Sequence, residues 1–355
     1  MSLLKKLPVV LAVLWMGLVL AACGGLTPSG TNAKANKPLP ETLVSRLTAI
    51  GSTPGAPMMI RIFKDSSELE VWKQTKAGDY KLAKTYAICT WSGALGPKIA
   101  EGDRQSPEGF YTITPAQLNP NSSYYLSFNT GFPNKFDRAY GRTGSNLMVH
   151  GDCSSVGCFA MTDTQISEIY GLARETLKGG NKSFQLQIFP FRMTAQNLAK
   201  VASSEHLPFW KNIKEGYDRF ELTRRPPVWD VCEKRYVFDM AAKSGVQLVA
   251  TGACPAMTGD AKLVAALAKK QAVDDQVFAS TVETLEQRAA REAAEAASAA
   301  QADADAEAEK AAIIARNAAI GTFVGDLFGG KEAEIKGVIN PALVAPVPFP
   351  RLKRG

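Results

Sequence analysis

The sequence predicts an α+β fold: a β-rich domain with helices, followed by an Ala-rich helical arm. Three observations carry that prediction. Short β-type runs separated by turn residues fill Pro57 to His150. From Ile166 to Leu177 the apolar residues recur instead at three and four positions, the period of a helix face. Residues 261–320 are rich in Ala, Glu, Lys and Gln and contain neither Pro nor Gly, a composition that favours helix by propensity.

In chain order, Lys5-Lys6 followed by the apolar stretch Leu7 to Leu20 reads as an export signal, too short to span a bilayer. It ends in Leu20-Ala21-Ala22-Cys23-Gly24, which resembles the lipobox of bacterial lipoproteins. That resemblance implies removal of residues 1–22, a lipid on Cys23, a periplasmic location and, with Gly24 next, sorting to the outer membrane. An ordinary export signal with a coincidental Cys is the alternative. Gly25 to about Pro40 is polar and Gly/Pro-punctuated, so 23–56 is expected to be a tether.

A catalytic domain is expected over 57–255. Its strands are Met58–Phe63, Glu68–Lys73 with strict alternation and hence one wet face, Tyr86–Trp91, Gly109–Thr114, Ser123–Phe128, Asn146–His150 and Ser183–Phe189. Thr162-Asp163 is placed to cap a helix that Gly179-Gly180 ends, and Ala195 to Gly216 reads as one or two more helices. The arm, 256–328, lacks a sustained stripe of Leu, Ile or Val, so a solvated helix is expected rather than a zipper. The tail, 329–355, carries Pro341, Pro346, Pro348 and Pro350 before a basic end, and should be extended. Arm and tail suit a spacer or a partner-docking segment, with inert disorder as the alternative.

The net charge of +7 and the 46% apolar content describe a globular chain suited to a polyanionic neighbour such as a wall polymer or an anionic membrane face. No stretch interleaves aromatics with a dense basic run, so nucleic acid is not an expected partner. Two histidines far apart and no close Cys-x-x-Cys pair do not build a metal shell, and no cofactor is expected.

The chemistry concentrates in Met148-Val-His-Gly-Asp-Cys-Ser-Ser-Val-Gly-Cys158, where His150 precedes a Gly-Cys dipeptide. A thiol attacks as thiolate, and an imidazole is suited to take its proton near neutrality. If Cys158 opens the helix that follows, unsatisfied N–H groups would lower its pKa. The N–H groups of Gly157 and Cys158 would then also hold an oxyanion. Ser155 is placed to bond near the imidazole or the substrate. Cys153 as nucleophile, His206 as a papain-like partner, or a merely buried structural thiol are the competing readings. Of the other cysteines, Cys232 with Cys254 and Cys89 with Cys153 is the preferred pairing; buried free thiols are the alternative.

Ile88-Cys-Thr-Trp-Ser-Gly-Ala-Leu-Gly-Pro-Lys98, Glu101-Gly-Asp103 and Ser106-Pro-Glu-Gly-Phe-Tyr111 resemble the YafK-like branch of the L,D-transpeptidase (YkuD-like) catalytic domain. So do Pro133-Asn134, His150-Gly151, Ser155-Val-Gly-Cys158-Phe-Ala-Met-Thr-Asp163 and Pro190-Phe-Arg-Met193. The resemblance implies a sheet curved around a groove, Cys158 as nucleophile, His150 as base, and Ser155 with Gly157 in support. It implies peptidoglycan stem peptides as substrate, joined by L,D-transpeptidation. The alternatives are hydrolysis that releases wall-attached outer-membrane proteins, a non-catalytic wall-binding lipoprotein, or a general cysteine protease. The family often has a second His before the Cys and an Arg soon after it; here Val156 and Phe159-Ala160-Met161 stand there. Carboxylate binding is therefore expected from Arg138, Arg142 or Arg192.

Overall fold

The computed structural model describes residues 32–155 and 157–327; the export signal, Cys23, Val156 and the Pro-rich tail lie outside the described residues. Two helices, α1 (Asn32–Ala35) and α2 (Glu41–Ala49), come first among the described residues. The strands then run β1 (Met58–Phe63), β2 (Glu68–Gln74), β3 (Tyr80–Ala87), β4 (Thr90–Trp91), β5 (Gly109–Ile113), β6 (Leu118–Asn119) and β7 (Ser127–Asn129). After the short α3 (Lys135–Ala139) follow β8 (Met148–His150), β9 (Phe159–Ala160), α4 (Asp163–Lys178) and β10 (Phe184–Phe189). Helices α5 (Ala195–Ala199) and α6 (Leu207–Thr223), the hairpin β11 (Trp229–Cys232) and β12 (Arg235–Phe238), the paired β13 (Ala241–Ala242) and β14 (Met257–Thr258), and α7 (Ala261–Leu327) complete the described elements.

One sheet has the order β3-β2-β1-β10-β5 and a second the order β4-β9-β8-β7-β6. In the first, β1 is central and buried along its whole length, which is why its sequence is a continuous apolar run around one Arg. Its side chains alternate between two cores. Met58, Ile60 and Ile62 face a core shared with Phe128, Val149, Phe159 and Ile166, from the second sheet and α4. Phe63 faces the other, with Phe110, Phe189, Trp210, Tyr217 and Phe238, from α6 and β12. The first sheet is thus covered on both sides, and the second is held against it by side chains of period two.

Several expected elements change. Tyr86–Trp91 is not one strand: β3 ends at Ala87 and β4 resumes at Thr90. The interruption is Cys89, which is bonded to Cys153, with Cα atoms 5.2 Å apart. Ser123–Phe128 shrinks to a strand starting at Ser127, because Tyr125 takes a left-handed φ of 64° and Ser122 Oγ accepts the Tyr124 N–H. The wet face expected of β2 is closed over: Glu70 accepts from Trp72 Nε1 and pairs with Arg192. Lys73 is buried on carbonyls of Pro54 and Ala56 and on Thr176. Ala195 to Gly216 is two helices. Cys232 and Cys254 are bonded. By its contacts the chain divides between Leu285 and Glu286, and no described helix is long and apolar enough to cross a membrane.

Candidate active site

Three short strands position the candidate residues. Strand β8 pairs antiparallel with β7, Ser127 opposite His150, and parallel with β9, His150 opposite Ala160 and Val149 opposite Phe159. Continued by one residue, that register sets Cys158 beside Met148. The Met148 N–H accordingly points at the Cys158 Sγ, 3.3 Å away. Paired residues of a parallel ladder share a face, and residues two apart on one strand share it as well. His150 and Cys158 therefore project from one face of neighbouring strands, with Cα atoms about 8 Å apart from ordinary strand spacings. No hydrogen bond joins them in this state; the thiol lies 3.6 Å from the Asn146 carbonyl, its acceptor here. Catalytic hydrogen bonds are often long or unformed in substrate-free sites.

His150 is 3% exposed, with the Tyr124 ring 4.8 Å from its own. Its Nδ1 is 2.6 Å from the Gly151 carbonyl. A carbonyl only accepts, so Nδ1 carries the proton and Nε2 keeps a free lone pair, the tautomer a base requires. Burial lowers the pKa of this imidazole, against the Gly151 bond and the charge of Asp152, which raise it. Close packing holds the turn: a side chain on Gly151 would put its Cβ 2.5 Å from Asp163 Oδ1. Cys153 N–H bonds Met161 O, and the Cys89–Cys153 disulfide ties the turn to the β3–β4 bend. Cys153 is thereby removed as a nucleophile, and Cys158 is the free thiol among the described residues.

The cysteine loop rests on hydroxyls. Ser155 Oγ accepts the Cys158 N–H at 2.9 Å and donates to the Cys158 carbonyl at 2.8 Å. Ser92 Oγ accepts the Gly157 N–H at 2.8 Å and donates to Ser155 O at 3.2 Å. Ser106 Oγ, fully buried, lies 3.3 Å from the carbonyls of both Gly157 and Cys158. Beneath it, Lys64 donates to Gly96 O, Ser106 O and Glu108, whose other oxygen accepts from Trp210 Nε1. His206 lies under Gly96 and edge-on to Trp210, which gives it a packing role.

These contacts correct the expectations for the loop. Cys158 does not open a helix: β9 follows it, and α4 begins at Asp163 with Thr162 as its cap. The thiol gains nothing from a helix dipole, and burial raises its pKa, opposed only in part by the Met148 N–H and the Lys98 ammonium. The N–H groups expected to hold an oxyanion are both taken by serine hydroxyls, and Ser155 braces the cysteine's own peptide rather than the imidazole. The arginines are engaged elsewhere. Buried Arg142 pairs with Asp137 at 2.9 Å and lies over the Phe136, Tyr140 and Phe209 rings. Arg192 holds Glu68 and Glu70, each at 2.8 Å, and exposed Arg138 donates to Pro133 O. Sequence reading missed Ser92, Ser106 and Lys98, although all three fall in the segments that carry the resemblance; their hydroxyls and charge gain meaning only once the 92–106 turn lies against the cysteine loop.

A half-buried free cysteine and a tautomer-locked histidine on adjacent strands, braced by a serine-lined turn, sit in the part of the chain that matches a known domain. Residues 60–180 match the family YkuD, described as the L,D-transpeptidase catalytic domain. The chain belongs to that family. It is 42% identical over 235 residues to the proteins named "Putative L,D-transpeptidase YafK" of Escherichia coli strain K12 and of Escherichia coli O157:H7, a span of 66% of this chain and 90% of each relative. Among solved structures, the helical cell shape determining protein Pgp2 of Campylobacter jejuni is similar at a TM-score of 0.31 and 17% identity, over 53% of this chain and 79% of that one. At that score the likeness carries no argument.

Proposed function

We propose that this protein is a cysteine-dependent peptidoglycan L,D-transpeptidase, with Cys158 as nucleophile and His150 as base. The observation that carries the reading is the shared strand face of a free thiol and an imidazole whose Nε2 lone pair is open. In the first step the thiol proton passes to His150 Nε2, and sulfur attacks the carbonyl of a diamino-acid residue in a stem peptide. The C–S bond forms, the C–N bond breaks, and the leaving amine takes the proton from the imidazolium. In the second step an acceptor amine attacks the thioester, a new amide forms, and the thiolate leaves and is reprotonated. Water in place of the amine gives hydrolysis, which frees whatever was attached. For an oxyanion, the Ser92 or Ser155 hydroxyl must yield the Gly157 or Cys158 N–H it now occupies.

The membrane-facing part rests on sequence: Cys23 lipidated, the chain anchored in the periplasm, wall-attached outer-membrane proteins as further partners, and Arg138, which is exposed and pairs with no carboxylate among the described residues, at hand for a substrate carboxylate. Incubating the purified protein with isolated wall fragments and reading muropeptides by mass spectrometry tests the chemistry. New crosslinks support transpeptidation, and freed stems or freed protein support hydrolysis. Equal products from Cys158→Ala, or none from the unaltered protein, would remove the reading.

A further inference from the structure

Lys98 is a buried cation that the roles of Cys158 and His150 leave unused. Lys98 is 3% exposed at the end of the Gly96-Pro97-Lys98 turn. Its Nζ donates to Ala100 O at 2.8 Å and forms an ion pair with Asp103. Its alkyl arm lies along Gly144, where an added Cβ would come within 2.5 Å of Lys98 Cε and 3.1 Å of the Phe132 ring. Two residues further on, the Asn146 carbonyl is the acceptor of the Cys158 thiol. The glycine, with φ of 146°, thus lets the ammonium arm pack directly beneath the loop that touches the sulfur. The cysteine loop itself, Cys153 to Met161, contains no cation.

Asp103 does not cancel this charge at full strength. Its carboxylate also accepts the N–H groups of Ile99, Ala100 and Gln105, each at 2.9 Å, so its negative charge is spread over three backbone dipoles besides Lys98. Against its partial burial, those bonds and Lys98 hold its pKa at about 2, and it stays ionised at any working pH. On the neighbouring elements the other titratable groups include His150 with Tyr124 packed on it, Asp152 past β8, Glu101 on the Lys98 turn, Asp163 at the start of α4, and the buried pairs Lys64–Glu108 and Arg142–Asp137.

We infer that Lys98 is a positioning residue, the fixed positive charge against which the Cys158 thiolate forms, and that Asp103 sets how much of that charge the sulfur feels. Resting on Cys158 as the reactive thiol, this assigns the activation of sulfur to a cation fixed on a separate turn, leaving His150 to move the proton. A buried ammonium is the proper partner for a thiolate in a site whose burial otherwise favours the neutral thiol. The direction of its effect agrees, since Lys98 lowers the pKa of Cys158.

The test is the pH dependence of Cys158 alkylation by iodoacetamide in the full-length protein, read by mass spectrometry of the Cys158 peptide. Lys98→Met should move the midpoint up by about one pH unit. At neutral pH alkylation should slow about threefold, because the more basic thiolate is also the better nucleophile. Lys98→Arg should restore the profile, and Asp103→Asn should move it down. Opposite shifts from two neighbouring substitutions are not what a loosened loop produces. A Lys98→Met profile that overlays the parent, with far-UV circular dichroism intact, overturns the inference, as do shifts of one sign in both variants. If Lys98→Met fails to fold, Asp103→Asn decides alone: a downward shift supports, no shift or an upward one overturns. The expected shifts in a protein that neither joins nor cuts wall peptides would support Lys98 while removing the transpeptidase reading.

Discussion

At Cys158 and His150, burial acts on both members in the same sense: it raises the thiol pKa and lowers the imidazole pKa. Each shift favours the uncharged form, so the resting pair is thiol and imidazole rather than thiolate and imidazolium. Alkylation of Cys158 in the substrate-free protein should therefore climb only above the pH of an ordinary thiol, with no reactive plateau in the acid range; a plateau below pH 6 in the rate profile would contradict the geometry. His150→Gln should leave that resting profile nearly unchanged at neutral pH and lower turnover on wall fragments by about 10²–10⁴. The same scale shows where sequence reading reaches its limit. Cys158 and His150 were legible because their chemistry lies in one short stretch. Arg142 and Arg192, expected as candidates for a substrate carboxylate, are instead paired within the fold, and their partners were not legible: Glu68 and Glu70, which hold Arg192, lie on the distant β2, and Asp137, which holds Arg142, is buried only by the fold.

Among the elements, the turn from Ser92 to Glu108 carries the most consequence, since it supplies Ser92 and Ser106 to the cysteine loop and Lys98 to its flank. Its anchor is the Lys64–Glu108 pair, both side chains fully buried, which also gathers Gly96 and Trp210. Lys64→Met strands the Glu108 carboxylate and should cost about 3–5 kcal/mol in urea unfolding, with Lys64→Met/Glu108→Leu recovering part of it. Helix α6 closes the far side of the sheet through Gly216, where a Cβ would meet the Phe110 and Phe238 rings at 2.5 Å. Gly216→Ala should cost about 1–3 kcal/mol by overpacking, measured the same way. The apolar run of β1, the alternation of β10 and the helical period of α4 after its Thr162 cap were readable from sequence. The stretches 86–91 and 123–128 were not. A disulfide and a left-handed Tyr125 broke runs whose composition favours strand, and β9 slipped in between Cys158 and its supposed helix because two residues are too few to show a period.

At the scale of the whole chain, the division between Leu285 and Glu286 falls inside α7, and the two portions of that helix differ in kind. Its first turns are built into the folded unit: Asp274 and Lys270 join Lys214 and Asp218 of α6 in one ionic cluster, and Lys211 lies over the Phe278 ring. Lys211, Lys214, Asp218, Asp274 and Phe278 line a cavity of about 460 Å³ with Leu198 and Leu267. From Glu286 to Phe323 every residue is exposed, including Ile314 at 69% and Phe323 at 65%. That portion holds its shape by alanine propensity and local pairs such as Arg291 with Glu295. A chain ending at Leu285 should keep the melting temperature and the Cys158 alkylation rate of the full chain. A chain ending at Thr258 should not. It loses Asp274, which leaves the mostly buried Lys214 with one carboxylate, and it uncovers Leu198 and the α6 face. Each kcal/mol so lost should lower the melting temperature by about 2–4 °C. Equal melting of the two shortened chains would mean that the ionic cluster contributes nothing to the fold, and that α7 belongs to the arm from its first turn.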